Sequence, residues 1–127
     1  MKTILLSICN SLMALSIKHS LNHSGGFSVH SVAPGDQGIA EKCAAASADI
    51  LLMEAACNMG ATLDECLNEA RSLRSQSLSC RIVLLCDENS TPEIARKVVQ
   101  AKKDGLIDEF VYSSVSESYL TAMLDAI

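Results

Sequence analysis

Hydrophobic residues follow two alternating patterns along this chain. Short apolar runs of strand length lie at residues 3–8, 27–32, 49–53, 81–86 and 109–113. After each run, apolar residues recur three and four positions apart, as on one face of an α-helix. The clearest case is Leu63, Cys66, Leu67 and Ala70, while the first helix carries Leu12, Met13, Ile17 and Leu21. The pattern predicts five strands alternating with five helices.

Local signals mark the ends of several of these helices. Three segments have the form of a capping box, with Thr62, Ser90 or Ser114 followed three residues later by Glu. Gly105 follows the fourth helical pattern at the position where glycine ends helices. The sequence therefore predicts where the third, fourth and fifth helices begin, and where the fourth ends.

The strand runs are mostly continuous in apolar residues, which indicates a sheet covered on both faces. Strands of this kind, alternating with helices, are typical of parallel α/β folds with right-handed crossovers. A length of 127 residues corresponds to one domain. Residues 1–16 also resemble a secretory signal, but Ser7, Asn10 and Ser11 interrupt the apolar stretch. We interpret residues 3–8 as a central strand.

Charge and composition exclude some functions. Ten basic residues against fifteen acidic ones leave a net charge of −5, so the chain lacks the basic face that non-specific nucleic-acid binding requires. Two Phe, two Tyr and no Trp argue against a base-stacking platform. No apolar run approaches the roughly 20 residues of a membrane span. We expect neither direct nucleic-acid binding nor membrane insertion.

The six cysteines do not indicate a disulfide framework. They form no C-x-x-C motif and no cluster, and several lie inside apolar runs, where a free thiol packs as a small hydrophobic group. This pattern favours reduced cysteines and a cytoplasmic protein.

Three segments carry a family resemblance over nearly the whole chain: ILLSICNSL, ADILLMEA and RIVLLCDENSTPEIARKVVQAKKDGLIDEFVYS. Their order and lengths resemble the receiver domain of two-component response regulators, the CheY-like domain. The resemblance implies a flavodoxin-like (βα)5 fold, a doubly wound parallel five-stranded sheet of order 2-1-3-4-5. It also implies phosphorelay signal transduction, and possibly the N-terminal regulatory part of a transcription regulator.

The phosphorylation chemistry of that family needs five groups at the carboxyl ends of its strands. Two acids and an acceptor Asp hold Mg²⁺, while a Lys and a Thr or Ser hydroxyl contact the phosphoryl group. The corresponding positions here are Cys9, Asn10, Glu54, Cys86 and Ser113, with Tyr112 as an alternative to Ser113. The resemblance therefore implies a degenerate site, or pseudo-receiver, that is not an enzyme and holds no metal or cofactor.

Other readings of this edge stay open. Glu54 could mimic a phosphorylated Asp, although a solvated carboxylate is favoured because the Lys and hydroxyl that would respond to it are missing. Asp87 and Glu88 could bind a cation, although a solvated loop is favoured. Cys9 before a helix could make the chain a phosphocarrier or thiol enzyme of the phosphotransferase IIB type, but the residues after it lack glycine.

Two further groups are candidates for binding. His19 and His23 are four residues apart and could share a helix face, but a metal site needs a third ligand. Members of the family often meet partners through helix 4, strand 5 and helix 5. On that face Lys102, Lys103, Phe110, Tyr112 and Tyr119 are the candidate interface for a protein partner or a second copy, with core packing of Phe110 as the alternative.

Overall fold

A computed structural model describes residues 2–8, 11–32, 38–54, 63–76, 79–86 and 92–127. Within them, strands and helices alternate strictly along the chain, as the hydrophobic pattern predicts. The elements are β1 (Lys2–Ser7), α1 (Ser11–Ser24), β2 (Phe27–Ser31), α2 (Ile39–Ala46), β3 (Ile50–Glu54), α3 (Leu63–Ser75), β4 (Arg81–Cys86), α4 (Pro92–Lys103), β5 (Glu109–Tyr112) and α5 (Glu117–Ala126).

The five strands form one parallel sheet of order β2-β1-β3-β4-β5. β1 lies between β2 and β3, with Leu6 opposite Ser31 on one side and Leu52 on the other. The expected central strand near the start of the chain is therefore confirmed, and so is the flavodoxin-like (βα)5 fold. Because every strand runs the same way, the carboxyl ends of all five meet at one edge of the sheet.

Alternate side chains of each strand enter two separate hydrophobic layers. Leu52 of β3 packs in the layer with Ile17, Leu21 and Leu124 of α1 and α5. Leu51, its neighbour in β3, packs in the opposite layer with residues of α2, α3 and α4. Both faces of the sheet are covered, which explains why the central strands are continuous apolar runs.

An acidic side chain ties the amino-terminal edge of the sheet together. The Asp108 carboxylate, just before β5, accepts the backbone N–H of Ile82 at 2.7 Å. It also pairs with Arg74 at 2.7 Å and Arg81 at 3.4 Å. Burial alone would raise the pKa of the Asp108 carboxyl, but the bonds from Ile82, Arg74 and Arg81 lower it below its ordinary value. Asp108 thus links α3, β4 and β5.

Replacing Asp108 with asparagine should lower the free energy of unfolding at pH 7 by about 1–3 kcal/mol, since the ion pairs with Arg74 and Arg81 are lost. A lowered pKa in the folded state means that the carboxylate contributes its full stability above its ordinary pKa of 3.8. That contribution disappears as the pH falls through the folded-state value. Urea unfolding should therefore show a gap between wild type and variant that narrows in acid. The exposed Asp125→Asn change is the control, and a gap that widens in acid would contradict this role.

Two details of the helices differ from the sequence pattern. Leu12 is 78% exposed, because the inward face of α1 follows Met13, Ile17 and Leu21 at intervals of four residues. α5 begins at Glu117, and its N-cap is Ser116, which accepts the N–H of Tyr119 at 3.1 Å. The predicted cap at Ser114 is therefore wrong.

The fifth helix starts late because a turn precedes it. The N–H of Val115 bonds to the carbonyl of Tyr112 at 3.1 Å, and this turn packs Val115 against the α1–α5 layer. Glu117 reaches α1 instead of capping its own helix: its carboxylate accepts the hydroxyls of Ser16 and Ser20 at 2.6 and 2.7 Å.

The other helix-end predictions fare differently. Gly105 ends α4 as predicted: it adopts φ +76°, its N–H bonds to the Lys102 carbonyl, and the next N–H bonds to that of Ala101. The predicted caps Thr62 and Ser90 lie outside the described residues. Among the residues that are described, no helix has the length and apolarity needed to cross a bilayer.

Candidate functional site

Three of the five predicted site positions lie together at the carboxyl edge of the sheet. Glu54 is the last residue of β3 and pairs with Leu85, one residue before Cys86 ends β4. Ser113 follows β5, and its N–H donates to the Cys86 carbonyl at 2.8 Å. Cys9 and Asn10 lie outside the described residues. The structure therefore brings Glu54, Cys86 and Ser113 to neighbouring strand ends.

Glu54 is half-buried at this edge. Its backbone carbonyl accepts a hydrogen bond from the Cys66 thiol of α3 at 3.5 Å, which ties the end of β3 to the helix that follows it. Glu54 thus occupies a strand-end position in a parallel α/β sheet, where ligands of such folds bind.

Cys86 points into the core instead of the edge. Its side chain is 5% exposed and packs in the hydrophobic layer between the sheet and α2, α3 and α4. Burial raises the pKa of the Cys86 thiol to about 11, so the group is neutral near pH 7. A buried thiol is also a weak hydrogen-bond donor. Cys86 is therefore unsuited to the phosphoryl contact that a hydroxyl makes at the end of β4.

Ser113 is exposed and places a hydroxyl where the receiver pattern has the ammonium of a lysine. The exposed lysines of α4 are engaged along the flank of the fold. Lys97 lies 3.7 Å from Asp64 and 3.8 Å from Glu93. Lys102 lies 2.7 Å from Glu109 of β5.

The remaining candidates for chemistry gain little support. The rings of His19 and His23 stack on the same face of α1 with centroids 6.3 Å apart, as the spacing predicts. In the part of the chain that is described, no group of three or more His, Cys, Asp or Glu side chains is arranged to hold a metal. Asp87, Glu88 and Cys9 are outside that part, so the cation-site and thiol-enzyme interpretations stay predictions.

Residues of α4 and β5 form a connected set on the flank of the sheet. The Lys102 ammonium binds the Glu109 carboxylate and lies 5.6 Å from the centroid of the Phe110 ring. The Phe110 ring meets Tyr112 edge-on at 6.2 Å. Burial alone would raise the pKa of Glu109, but its bonds from Lys102 and the Phe110 N–H lower it. A cation thus covers a half-buried aromatic ring at this flank.

The predicted interface residues are only partly contiguous. Tyr112 is 44% exposed and Tyr119 57% exposed, and Lys103 is exposed near the end of α4. Phe110 is half-buried and packs against the core as well as against Tyr112. Over residues 92–127, the recorded ring contact joins Phe110 to Tyr112 and leaves Tyr119 outside it. The structure adds Glu109, which sequence reasoning missed because it binds Lys102 across a helix–strand junction.

Comparison with solved structures places the chain among receiver domains in fold. A LuxR-family DNA-binding response regulator from Staphylococcus aureus superposes with a TM-score of 0.79 at 10% identity, covering 99% of this chain and 98% of that one. The signal receiver domain of the putative response regulator NarL from Mycobacterium tuberculosis gives 0.76 at 18% identity, covering 98% and 94%.

The chemotaxis protein CheY4 of Vibrio cholerae gives a TM-score of 0.70 at 20% identity, covering 100% of this chain and 99% of that one. No protein-family model and no curated protein matches the sequence. At these identities the comparison shows the fold, and function must be argued from the groups at the sheet edge.

Proposed function

We propose that this chain is a receiver-like module of two-component signal transduction that works without phosphorylation, by contact with another protein chain. One observation carries the proposal. The chain has the receiver fold along its length, yet the described strand ends at the phosphorylation edge present Glu54, a buried Cys86 thiol and Ser113.

Each of these groups bears on phosphoryl transfer. Mg²⁺ in such sites is bound through carboxylate oxygens, and the charge that builds up on a transferring phosphoryl group needs a cation beside it. Glu54 supplies one carboxylate, Ser113 supplies no charge, and Cys86 is turned into the core. The residues at the sequence positions of the acid pair, Cys9 and Asn10, carry no carboxylate. A degenerate receiver without enzyme activity or a resident metal accounts for this combination.

Regulation of transcription fits the comparison with the Staphylococcus aureus protein, which is described as a DNA-binding response regulator. In this proposal the chain is the regulatory part and an output domain in a longer chain contacts DNA. A net charge of −5 disfavours direct DNA contact by the domain itself. The proposed site of action is the cytoplasm, where receiver pathways signal.

The proposed contact surface is the α4–β5–α5 face, meaning the exposed side chains of Lys102, Lys103, Glu109, Tyr112 and Tyr119. Charges of both signs flank exposed aromatic rings there. Such a surface gives specificity and orientation more than raw affinity. Without a phosphate trigger the surface is present in the resting chain, so we propose a weak, salt-sensitive dimer of two copies.

Reversing two charges on this face should weaken the dimer by about tenfold, because each exposed ion pair contributes about 0.2–1 kcal/mol and reversal replaces attraction with repulsion. The variant combines Lys102→Glu and Lys103→Glu. Its fold should persist, since Lys102 loses only an exposed pair with Glu109. Sedimentation equilibrium at low and high salt measures the association constant.

The matched control combines Lys18→Glu on α1 with Arg71→Glu on α3, which changes the net charge equally but leaves the α4–β5–α5 face intact. This control should associate like the wild type. A wild-type chain that sediments as a monomer at every concentration would contradict the proposed dimer. Equal weakening in both variants would show that net charge acts, and not this face.

A further inference from the structure

Two cysteines that are far apart in the sequence meet under the amino-terminal edge of the sheet. Cys43 lies on α2 and is 2% exposed, while Cys80 directly precedes β4 and is 3% exposed. Both belong to the same hydrophobic layer, and their thiols are hydrogen-bonded to each other. Both are free cysteines in the structure.

The backbone on each side of this pair is fixed. The Cys43 carbonyl accepts the N–H of Ala48 at 2.9 Å, in the turn that ends α2 with Ser47 at φ +51°. The Cys80 carbonyl accepts from Arg74 at 3.2 Å, and Arg74 is itself held by Asp108. The two thiols therefore face each other from anchored segments, which keeps them within reach of each other.

The surroundings make the two thiols chemically unequal. The hydrogen bond from Cys43 and the positive charge of Arg74 lower the pKa of the Cys80 thiol, against the opposing effect of burial. The pKa of Cys43 is raised, first by that same hydrogen bond and then by burial. A thiolate attacks and a thiol donates its proton, so Cys80 has the properties of an attacking sulfur and Cys43 those of its resolving partner.

Cys80 also lies next to solvent. The residues on either side of it, Ser79 and Arg81, are exposed and line an open pocket of about 320 Å³ with Lys2 and Asp49. A small oxidant can therefore approach the segment that carries Cys80 without unfolding of the central strands.

We propose that Cys43 and Cys80 form a redox-active pair that a peroxide converts into a disulfide. The Cys80 thiolate attacks one oxygen of hydrogen peroxide, the O–O bond breaks and hydroxide leaves, giving a sulfenic acid on Cys80. The Cys43 sulfur then attacks the Cys80 sulfur, the S–O bond breaks, and water leaves with the Cys43 proton. Two thiols lose two electrons in total, and peroxide is reduced to water.

Cys66 and Cys86 provide an internal comparison, because they are buried in the same layer. Burial raises the pKa of Cys66 to about 12 and that of Cys86 to about 11. The Cys66 thiol donates to the Glu54 carbonyl at 3.5 Å instead of meeting a basic group. Equal burial with different electrostatics separates the effect of Arg74 from simple access to solvent.

The test is peptide mapping of the reduced full chain after timed exposure to hydrogen peroxide, with free thiols alkylated before digestion. The Cys43–Cys80 cross-link should form at least about ten times faster than Cys66 or Cys86 is oxidised. In Cys43→Ser the reaction should stop at a Cys80 sulfenic acid that dimedone traps. Cys66→Ser is the matched control and should leave cross-link formation unchanged.

Mapping also distinguishes the competing results. Oxidation of all four buried cysteines at one rate would overturn the proposal, as would a main cross-link from Cys80 to Cys9 or Cys57. Arg74→Lys should keep most of the rate and Arg74→Gln should lose it, since the positive charge is what acts. The wild-type comparison within one molecule decides the matter even if a variant fails to fold.

Discussion

Replacing Leu52 with alanine is expected to lower the free energy of unfolding by about 2–5 kcal/mol. Leu52 is 0% exposed in β3, opposite Leu6 of β1 and Val83 of β4. It packs in the layer beneath α1 and α5, where removal of its side chain leaves a cavity that anchored strands on both sides cannot close.

Urea unfolding followed by circular dichroism measures this loss. Leu15→Ala removes the same atoms from a side chain that is 65% exposed on α1, so it should change stability by no more than about 0.5 kcal/mol. Similar losses for the two variants would contradict the packing described for the sheet. A typical domain of this kind has only about 5–15 kcal/mol of stability, so the Leu52 variant should unfold at clearly lower urea.

The second large expected effect is the complete absence of phosphorylation by small phosphodonors such as acetyl phosphate. A single carboxylate at Glu54 is a poor Mg²⁺ site, and we expect Mg²⁺ to bind no more tightly than about millimolar. The charge of an incoming phosphoryl group would meet a second negative charge at Glu54, with the exposed hydroxyl of Ser113 in place of an ammonium. The same holds for Glu54→Asp, because shortening the carboxylate adds neither a cation nor further acids.

The strand pattern was predictable because a sheet covered on both faces demands uninterrupted apolar residues. Residues 50–53 and 82–85 are buried in the structure as their composition indicates. The order of the strands is not contained in that periodicity. The resemblance to receiver domains supplied it, and the register of β1 between β2 and β3 confirms it.

Other features depended on contacts that no local pattern contains. Leu12 has a helical spacing to the core positions close enough to suggest burial, yet it lies one residue off the Met13–Ile17–Leu21 line and is exposed. Ser116 caps α5 because the preceding turn packs Val115 inward, a tertiary cause. The Cys43–Cys80 contact joins segments far apart in sequence, so spacing could not reveal it.

The candidate site was predictable in position but not in orientation. The sequence places Glu54 and Cys86 at the ends of their strands, and the structure confirms that placement. Whether the Cys86 thiol faces the edge or the core depends on the one-residue alternation of side chains along β4, which the continuous apolar run conceals. Its burial is what separates this edge from one carrying a hydroxyl.

Intact-protein mass spectrometry after incubation with acetyl phosphate and Mg²⁺ tests the central claim most directly. Wild type, Glu54→Asp and Glu54→Gln are compared with a phosphorylatable receiver domain treated in the same tube as a positive control. The account predicts that the control gains one phosphoryl group while all three forms of this chain keep their unmodified mass. A phosphoryl adduct on the wild type that is absent from Glu54→Gln would contradict it, because Glu54 would then be a working acceptor.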